Sequence, residues 1–200
     1  MPLLSNDKTY SYFLECPHLL MDTCALTWFT RHENGFELFH KVMQHYLILI
    51  PTPVLYEFAF GDQDQSSESE RDLRTFLFKT EHKVEMFSYA MTQQQRNIRP
   101  GTFYVINPGF NEWWTARDRL LIYANLSKAS TRKVKRELSM DALIHACARN
   151  CFAPICTVNV SDFKKLNLAA NSRSHDRGVP FFTPEEVLAS ITEPVLFCQE

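Results

Sequence analysis

The chain has 200 residues, of which 45% are hydrophobic and 22% charged, and a formal net charge of −2. That length and mix describe one globular domain with enough chain to bury a real core. They exclude a uniformly basic binding module, so any contact with phosphates has to come from a local patch.

Residues 1–17 carry Asp7, Lys8 and Glu15 and no long apolar run. They read as an N-terminal extension, neither a signal peptide nor a spanning helix, and the expected location is cytoplasmic. Six cysteines without a Cys-x-x-Cys pair are expected as buried reduced thiols, not as a disulfide framework or a zinc site.

His18-Leu19-Leu20-Met21 is a short apolar run that reads as a buried strand ending on Asp22. Helical spacing follows from Ala25 to Tyr46, where Phe29, Phe36, Phe39, Val42 and Met43 recur at threes and fours. Asn34-Gly35 predicts a break in it. Leu47 to Ile50 reads as a second buried strand. Thr52-Pro53 is a helix start, with threonine as N-cap and proline in the first helical position, and that helix carries Glu57. Gly61 to Asp72 is almost wholly polar and reads as an exposed loop. A short helix from Asp72 to Lys79 and a short strand from Lys83 to Ser88 are expected next.

Arg96 to Pro108 holds Pro100-Gly101 and Pro108-Gly109 and reads as a turn-rich excursion. Phe110 to Leu126 is expected as a helix, with Trp113, Trp114, Leu120 and Leu121 on its apolar faces. A basic segment with Lys128, Arg132, Lys133, Lys135 and Arg136 follows. Ser139 is expected to cap the next helix, which opens with Asp141. Ala153 to Val158 is strand-like and leaves through a polar turn that holds Asp162. Val179 to Phe182 reads as the last strand, and Thr183-Pro184-Glu185-Glu186 as a capping box opening the terminal helix. Strands separated by helices predict an α/β sandwich with a central, mostly parallel sheet.

In open α/β sheets, ligands bind outside the carboxyl ends of the strands. Asp22 and Asp162 each follow an apolar run, and Glu57 and Asp141 are expected in the first turns of helices that begin at the same edge. Like charges about 4 Å apart repel by roughly 4 kcal/mol at an effective dielectric near 20, so such a cluster asks for a cation. Oxygen-only ligation points to Mg²⁺ or Mn²⁺, and the natural chemistry of that site is phosphodiester hydrolysis.

The segments LLMDTCAL, PTPVLYEF, SMDALIHACA and TVNVSDF resemble, in that order, the acidic motifs of the PIN-domain nucleases, and the closing GVPFFTPEEVL resembles the last strand and helix of many members. The resemblance runs from residue 18 to 189. It implies a PIN-like three-layer sandwich over residues 18–200, with a longer middle region around 90–137. It implies Asp22, Glu57, Asp141 and Asp162 as catalytic acids and metal ligands, with Thr157 and Asn159 in support. It also implies a metal-dependent endoribonuclease, nearest to the VapC-like ribonuclease toxins, with RNA as substrate, an antitoxin-like inhibitor protein as partner and a homodimeric state. The alternative is a degenerate PIN domain that binds RNA or protein without cleaving.

Departures from the pattern are Cys24, where asparagine is common, and His145, where small residues are usual. Arg132, Lys133, Lys135 and Arg136 are a candidate RNA-phosphate stripe, weighed against an ordinary solvated helix face. Packing is the favoured role for His145, Trp113 and Trp114. A HAD-like phosphohydrolase would need a second aspartate after Asp22, and Cys24 occupies that place.

Overall fold

The computed structural model of the protein describes residues 18–60, 68–78, 103–173 and 178–192. Among these, β1 (His18–Met21), β2 (Leu47–Pro51), β3 (Phe103–Ile106), β4 (Ile155–Cys156) and β5 (Phe181–Phe182) form one sheet in the order β3-β2-β1-β4-β5. Every neighbouring pair is parallel. Parallel strands buried on both faces need continuous apolar sequence, and all residues of HLLM and LILIP are buried.

The helices are α1 (Thr23–Arg31), α2 (Gly35–His45), α3 (Thr52–Phe60), α4 (Glu68–Phe78), α5 (Phe110–Ser127), α6 (Thr131–Asn150), α7 (Val160–Asn171) and α8 (Pro184–Thr192). They pack in two groups, α5 with α6 and α7, and α1 with α2, α3, α4 and α8. The sheet lies between these layers, which is the expected α/β three-layer sandwich. No described helix is long and apolar enough to cross a membrane.

The predicted break is present: α1 ends at Arg31 and α2 starts at Gly35. A Cβ at Gly35 would lie 1.4 Å from the carbonyl oxygen of Phe29, so only glycine lets α2 begin this close to α1. The capping box also forms. Thr183 N–H donates to Glu186 Oε2 at 2.7 Å, and Glu186 N–H donates to Thr183 Oγ1 at 3.3 Å.

Other elements differ from expectation, each for a physical reason. The turn-rich reading of Arg96 to Pro108 missed β3, because Pro100-Gly101 and Pro108-Gly109 bound a Phe-Tyr-Val-Ile run that pairs with β2. Glu68 to Asp72 is helical instead of looped. Glu68 and Glu70 complement the helix N-terminus, and Arg74 pairs with Glu70 at 2.6 Å. The hydroxyl of Thr52 does not cap; Thr52 is the first residue of α3 and donates to the Ile106 carbonyl at 2.9 Å.

The largest correction concerns α6. Ser130, not Ser139, is its N-cap, accepting from Lys133 N–H at 3.3 Å, and the helix runs without interruption for 20 residues. With no glycine or proline between Thr131 and Asn150, nothing stops it, so Arg132, Lys133, Lys135 and Arg136 lie in its opening turns and Asp141 lies mid-helix. The strands β4 and β5 are shorter than their apolar runs, and α7 opens at Val160, putting Asp162 in its first turn. The expected strand Lys83 to Ser88 and the extension 1–17 lie outside the described residues.

The chain builds outward from β1 to β2 and β3, then crosses to β4 and β5. The strand order therefore reverses between β1 and β4, and a crevice opens beyond their carboxyl ends. Asp22 and Thr157 are the next residues on these paired strands, since Met21 is in register with Cys156.

Candidate metal and nuclease site

Asp22 is buried and firmly oriented. Its Oδ1 accepts from Thr23 N–H at 2.6 Å, and its Oδ2 accepts from Thr157 Oγ1–H and the Cys24 thiol, each at 2.8 Å. The supporting residues are themselves held: Thr157 Oγ1 accepts from Asn159 N–H at 2.9 Å, and Cys24 Sγ accepts from Val158 N–H at 3.2 Å. Cys24 thus supplies a hydrogen bond of its own. Burial drives the Asp22 carboxyl above its ordinary range, partly offset by the three donors and reinforced by the charge of Glu57.

Glu57 is on the second turn of α3, not the first, and is exposed. Its Oε2 accepts from Thr23 Oγ1–H at 2.7 Å. Thr23 therefore touches both acids, its amide on Asp22 and its hydroxyl on Glu57.

Asp141 comes from the middle of α6. Burial, followed by the charges of Asp22, Asp162 and Glu57, pushes its carboxyl up to about 7, with Lys165 opposing. No described residue donates a hydrogen bond to it. A half-buried carboxyl with three acidic neighbours and no donor is the mark of surplus negative charge.

Asp162 is the least committed to the cluster. Its Oδ1 accepts from Lys165 Nζ at 2.5 Å and its Oδ2 from Asn159 Nδ2 at 2.9 Å. Burial raises its carboxyl, but these donors together hold it below the usual carboxylate range. Lys165 stands one turn further along α7, a spacing visible in the sequence that gains meaning only once α7 is known to be helical.

Asp22, Glu57 and Asp141 line one cavity of ≈ 650 Å³, together with Asn159, Glu137 and Met140. Asp162 is not in that lining, although Asp141 feels its charge. The donor chemistry fits a hard divalent cation, being oxygen-only with uncompensated charge. The side chains do not converge as they stand: among the described residues, no three His, Cys, Asp or Glu groups are close enough to hold an ion. Asp162 is bonded to Lys165 and Glu57 to Thr23.

Comparison with known protein families, curated proteins and solved structures gives no match to this chain. The site rests on its own geometry.

His145 is fully buried, with Nε2 2.7 Å from Asn167 Oδ1, and burial followed by the nearby Arg119 charge keeps it neutral. It packs, as expected, and does not reach the cavity lining. Arg132, Lys133, Lys135 and Arg136 are exposed on α6. Trp113 and Trp114 are not core: they are 55% and 52% exposed beside Phe110 at 77%, and Arg117 lies over the Trp114 ring at 4.9 Å. Cys147, Cys151 and Cys156 are buried free thiols, as expected. Trp28, Arg31 and His32 line the acidic cavity and carry no signal of it in the sequence.

Burial and the Asp22 charge push the Cys24 thiol up to about 12. At pH 8 iodoacetamide should therefore modify it at least about tenfold more slowly than a free thiol of pKa about 8.5. Mass spectrometry reads this directly, and modification at an ordinary rate would show that the thiol is not bound to Asp22.

Proposed function

We propose that the protein is a metal-dependent endoribonuclease of PIN-like type, with Asp22, Glu57, Asp141 and Asp162 as its catalytic acids. The observation that carries this reading is the meeting of Asp22, Glu57 and Asp141, from three separate segments, in one cavity at the strand-order switch, with Asp141 pushed up to about 7. A Mg²⁺ or Mn²⁺ ion held by these acids supplies an activated water and charge neutralisation at the scissile phosphate.

The chain's own residues prepare for that task. Thr157 and Cys24 fix the Asp22 carboxylate, and Thr23 aims Glu57. Asn159 and Lys165 hold Asp162 beside the cavity. Asp141 must be deprotonated to accept a cation, so activity should rise with pH toward and above 7.

The test is cleavage of a mixed RNA pool with Mg²⁺ or Mn²⁺, compared with EDTA. Cleavage only with metal is expected. Replacing Arg132, Lys133, Lys135 and Arg136 with alanine should weaken RNA binding and flatten its salt dependence. The slope should fall by roughly 0.7 for each phosphate of a single strand that is no longer neutralised. Turnover at saturating RNA should be nearly intact.

The alternative, a non-catalytic RNA- or protein-binding module, is favoured by one observation: the Asp162 carboxylate is already neutralised by Lys165. Wild type that binds RNA without metal-dependent cleavage would select it. The toxin reading adds an antitoxin-like inhibitor covering the acidic cavity, and a small antitoxin gene beside this one would support it. The exposed Phe110, Trp113 and Trp114 on α5 support a homodimer. Light scattering should give twice the monomer mass, and a monomer would remove the dimer from the proposal.

A further inference from the structure

Helix α1 forms one wall of the acidic cavity along its whole length. Thr23, Cys24, Thr27, Trp28 and Arg31 all line it, followed by His32 at the C-cap. Those positions recur at ones and threes, so they make a single stripe on the helix face. The stripe changes character from end to end. Its N-terminal end meets Asp22, Glu57 and Asp141, whereas its C-terminal end offers an indole, an imidazole and a guanidinium.

The rings of Trp28 and His32 lie 3.9 Å apart between centroids, tilted by 42°. Trp28 is half-buried and packs against the core. Arg31 is exposed, and among the described residues it is the cavity lining's one Lys or Arg and has no carboxylate partner. From Asp22 to Arg31 the helix rises about 13 Å, roughly four nucleotides of a stacked strand at about 3.4 Å each, or fewer of an extended one.

Building on the ribonuclease reading, we propose that the C-terminal half of α1 is a substrate subsite for single-stranded RNA. Trp28 stacks a base next to the scissile phosphate, and Arg31 holds a phosphate further along the strand. Base–aromatic stacking tolerates any sequence, and a lone guanidinium supplies the charge that a phosphate needs. A basic peptide would suit the acidic end but would be repelled by Arg31, which is why a polynucleotide is the occupant argued for.

The experiment is fluorescence anisotropy in EDTA with a fluorescein-labelled pentaribonucleotide, so binding is read without cleavage. Trp28→Leu, which keeps an apolar side chain there without a π face, should weaken binding about tenfold, and Trp28→Phe should recover part of the loss. Arg31→Ala should weaken it less and lower the salt slope by about 0.7. A dinucleotide should bind the variants and wild type alike. The matching pentadeoxynucleotide tests RNA against DNA, and a basic pentapeptide tests the other class of partner.

Unchanged pentanucleotide affinity and salt slope in the surface variant Arg31→Ala, together with unchanged affinity in folded Trp28→Leu, overturns the subsite. So does tighter binding of the peptide or of the DNA, or no binding of the pentaribonucleotide at all. Because the readout needs no metal, a wild type that fails to cleave but shows these losses leaves the subsite standing without the nuclease.

Discussion

Asp141→Asn is expected to lower metal-dependent RNA cleavage by on the order of 10²–10³, about the cost of deleting one preorganised electrostatic group. The same change should make the metal-free protein more stable at pH 8. Burial and the charges of Asp22, Asp162 and Glu57 raise the folded-state pKa of Asp141 from 3.8 to about 7. Between those values the native state holds a proton that the unfolded chain has released. Stability contributed by the protonated form is therefore full below pH about 4 and is lost as pH rises toward about 7. After allowance for solvent screening of a half-buried group, Asn in place of charged Asp141 should return about 1–3 kcal/mol at pH 8. That is roughly 2–12 °C in Tm for a domain of this size, and almost nothing at pH 4. Metal should reverse the order, stabilising wild type more than the variant. Thermal scans at pH 4 and 8, with and without Mn²⁺, read all of this. Equal Tm values for variant and wild type at both pH values, with cleavage unchanged, would remove Asp141 from the site.

Much of this arrangement is legible in the sequence where a local signal has no competitor. HLLM and LILIP are too short and too apolar to be anything but buried strands between helices, and Thr183 with Glu186 carries its own cap. The four acids are visible for the same reason, since each follows or flanks an apolar run. What fails is the ranking of local signals against continuity. Ser139 looks like a cap, but Ser130 is one, and a helix already propagating through Lys133 to Leu138 has no cause to restart. Proline-glycine pairs hide β3 because they punctuate both of its ends. Lys165 escapes notice because a charge at i+3 from Asp162 matters only once the polar turn is known to be helical. The α1 stripe is hidden for another reason: Trp28 lies half against the core and half in a cavity, and that position has the same spacing as full burial.

Asn167→Ala should cost about 3–5 kcal/mol of stability, summed over the buried polar groups it strands, although it touches none of the acids. Asn167 is buried on α7, and its amide mimics a strand neighbour for Val179: Nδ2 donates to the Val179 carbonyl at 2.8 Å, and Oδ1 accepts from the Val179 amide at 2.7 Å. The same Oδ1 accepts from His145 Nε2 at 2.7 Å, which sets the neutral imidazole with its proton on Nε2. One side chain thus latches α6, α7 and the approach to β5. Gly178 permits it, since a Cβ there would come within 2.7 Å of the Asn167 amide. Truncation strands three buried polar groups at about 1–3 kcal/mol each, softened where a water can enter the space left behind. Asn167→Asp separates hydrogen bonding from bulk. Protonated, its carboxyl can still donate to the Val179 carbonyl; ionised, it cannot, and burial penalises the charge. Its stability deficit should therefore grow from pH 4 to pH 8, whereas the deficit of Asn167→Ala should change little. Cleavage should fall less than in Asp141→Asn, because the latch sets how α6 presents Asp141 to α7 without contacting substrate. Chemical denaturation at the two pH values decides it: a loss below about 1 kcal/mol for Asn167→Ala would mean that water replaces the latch and that α6 and α7 are held in place by apolar packing alone.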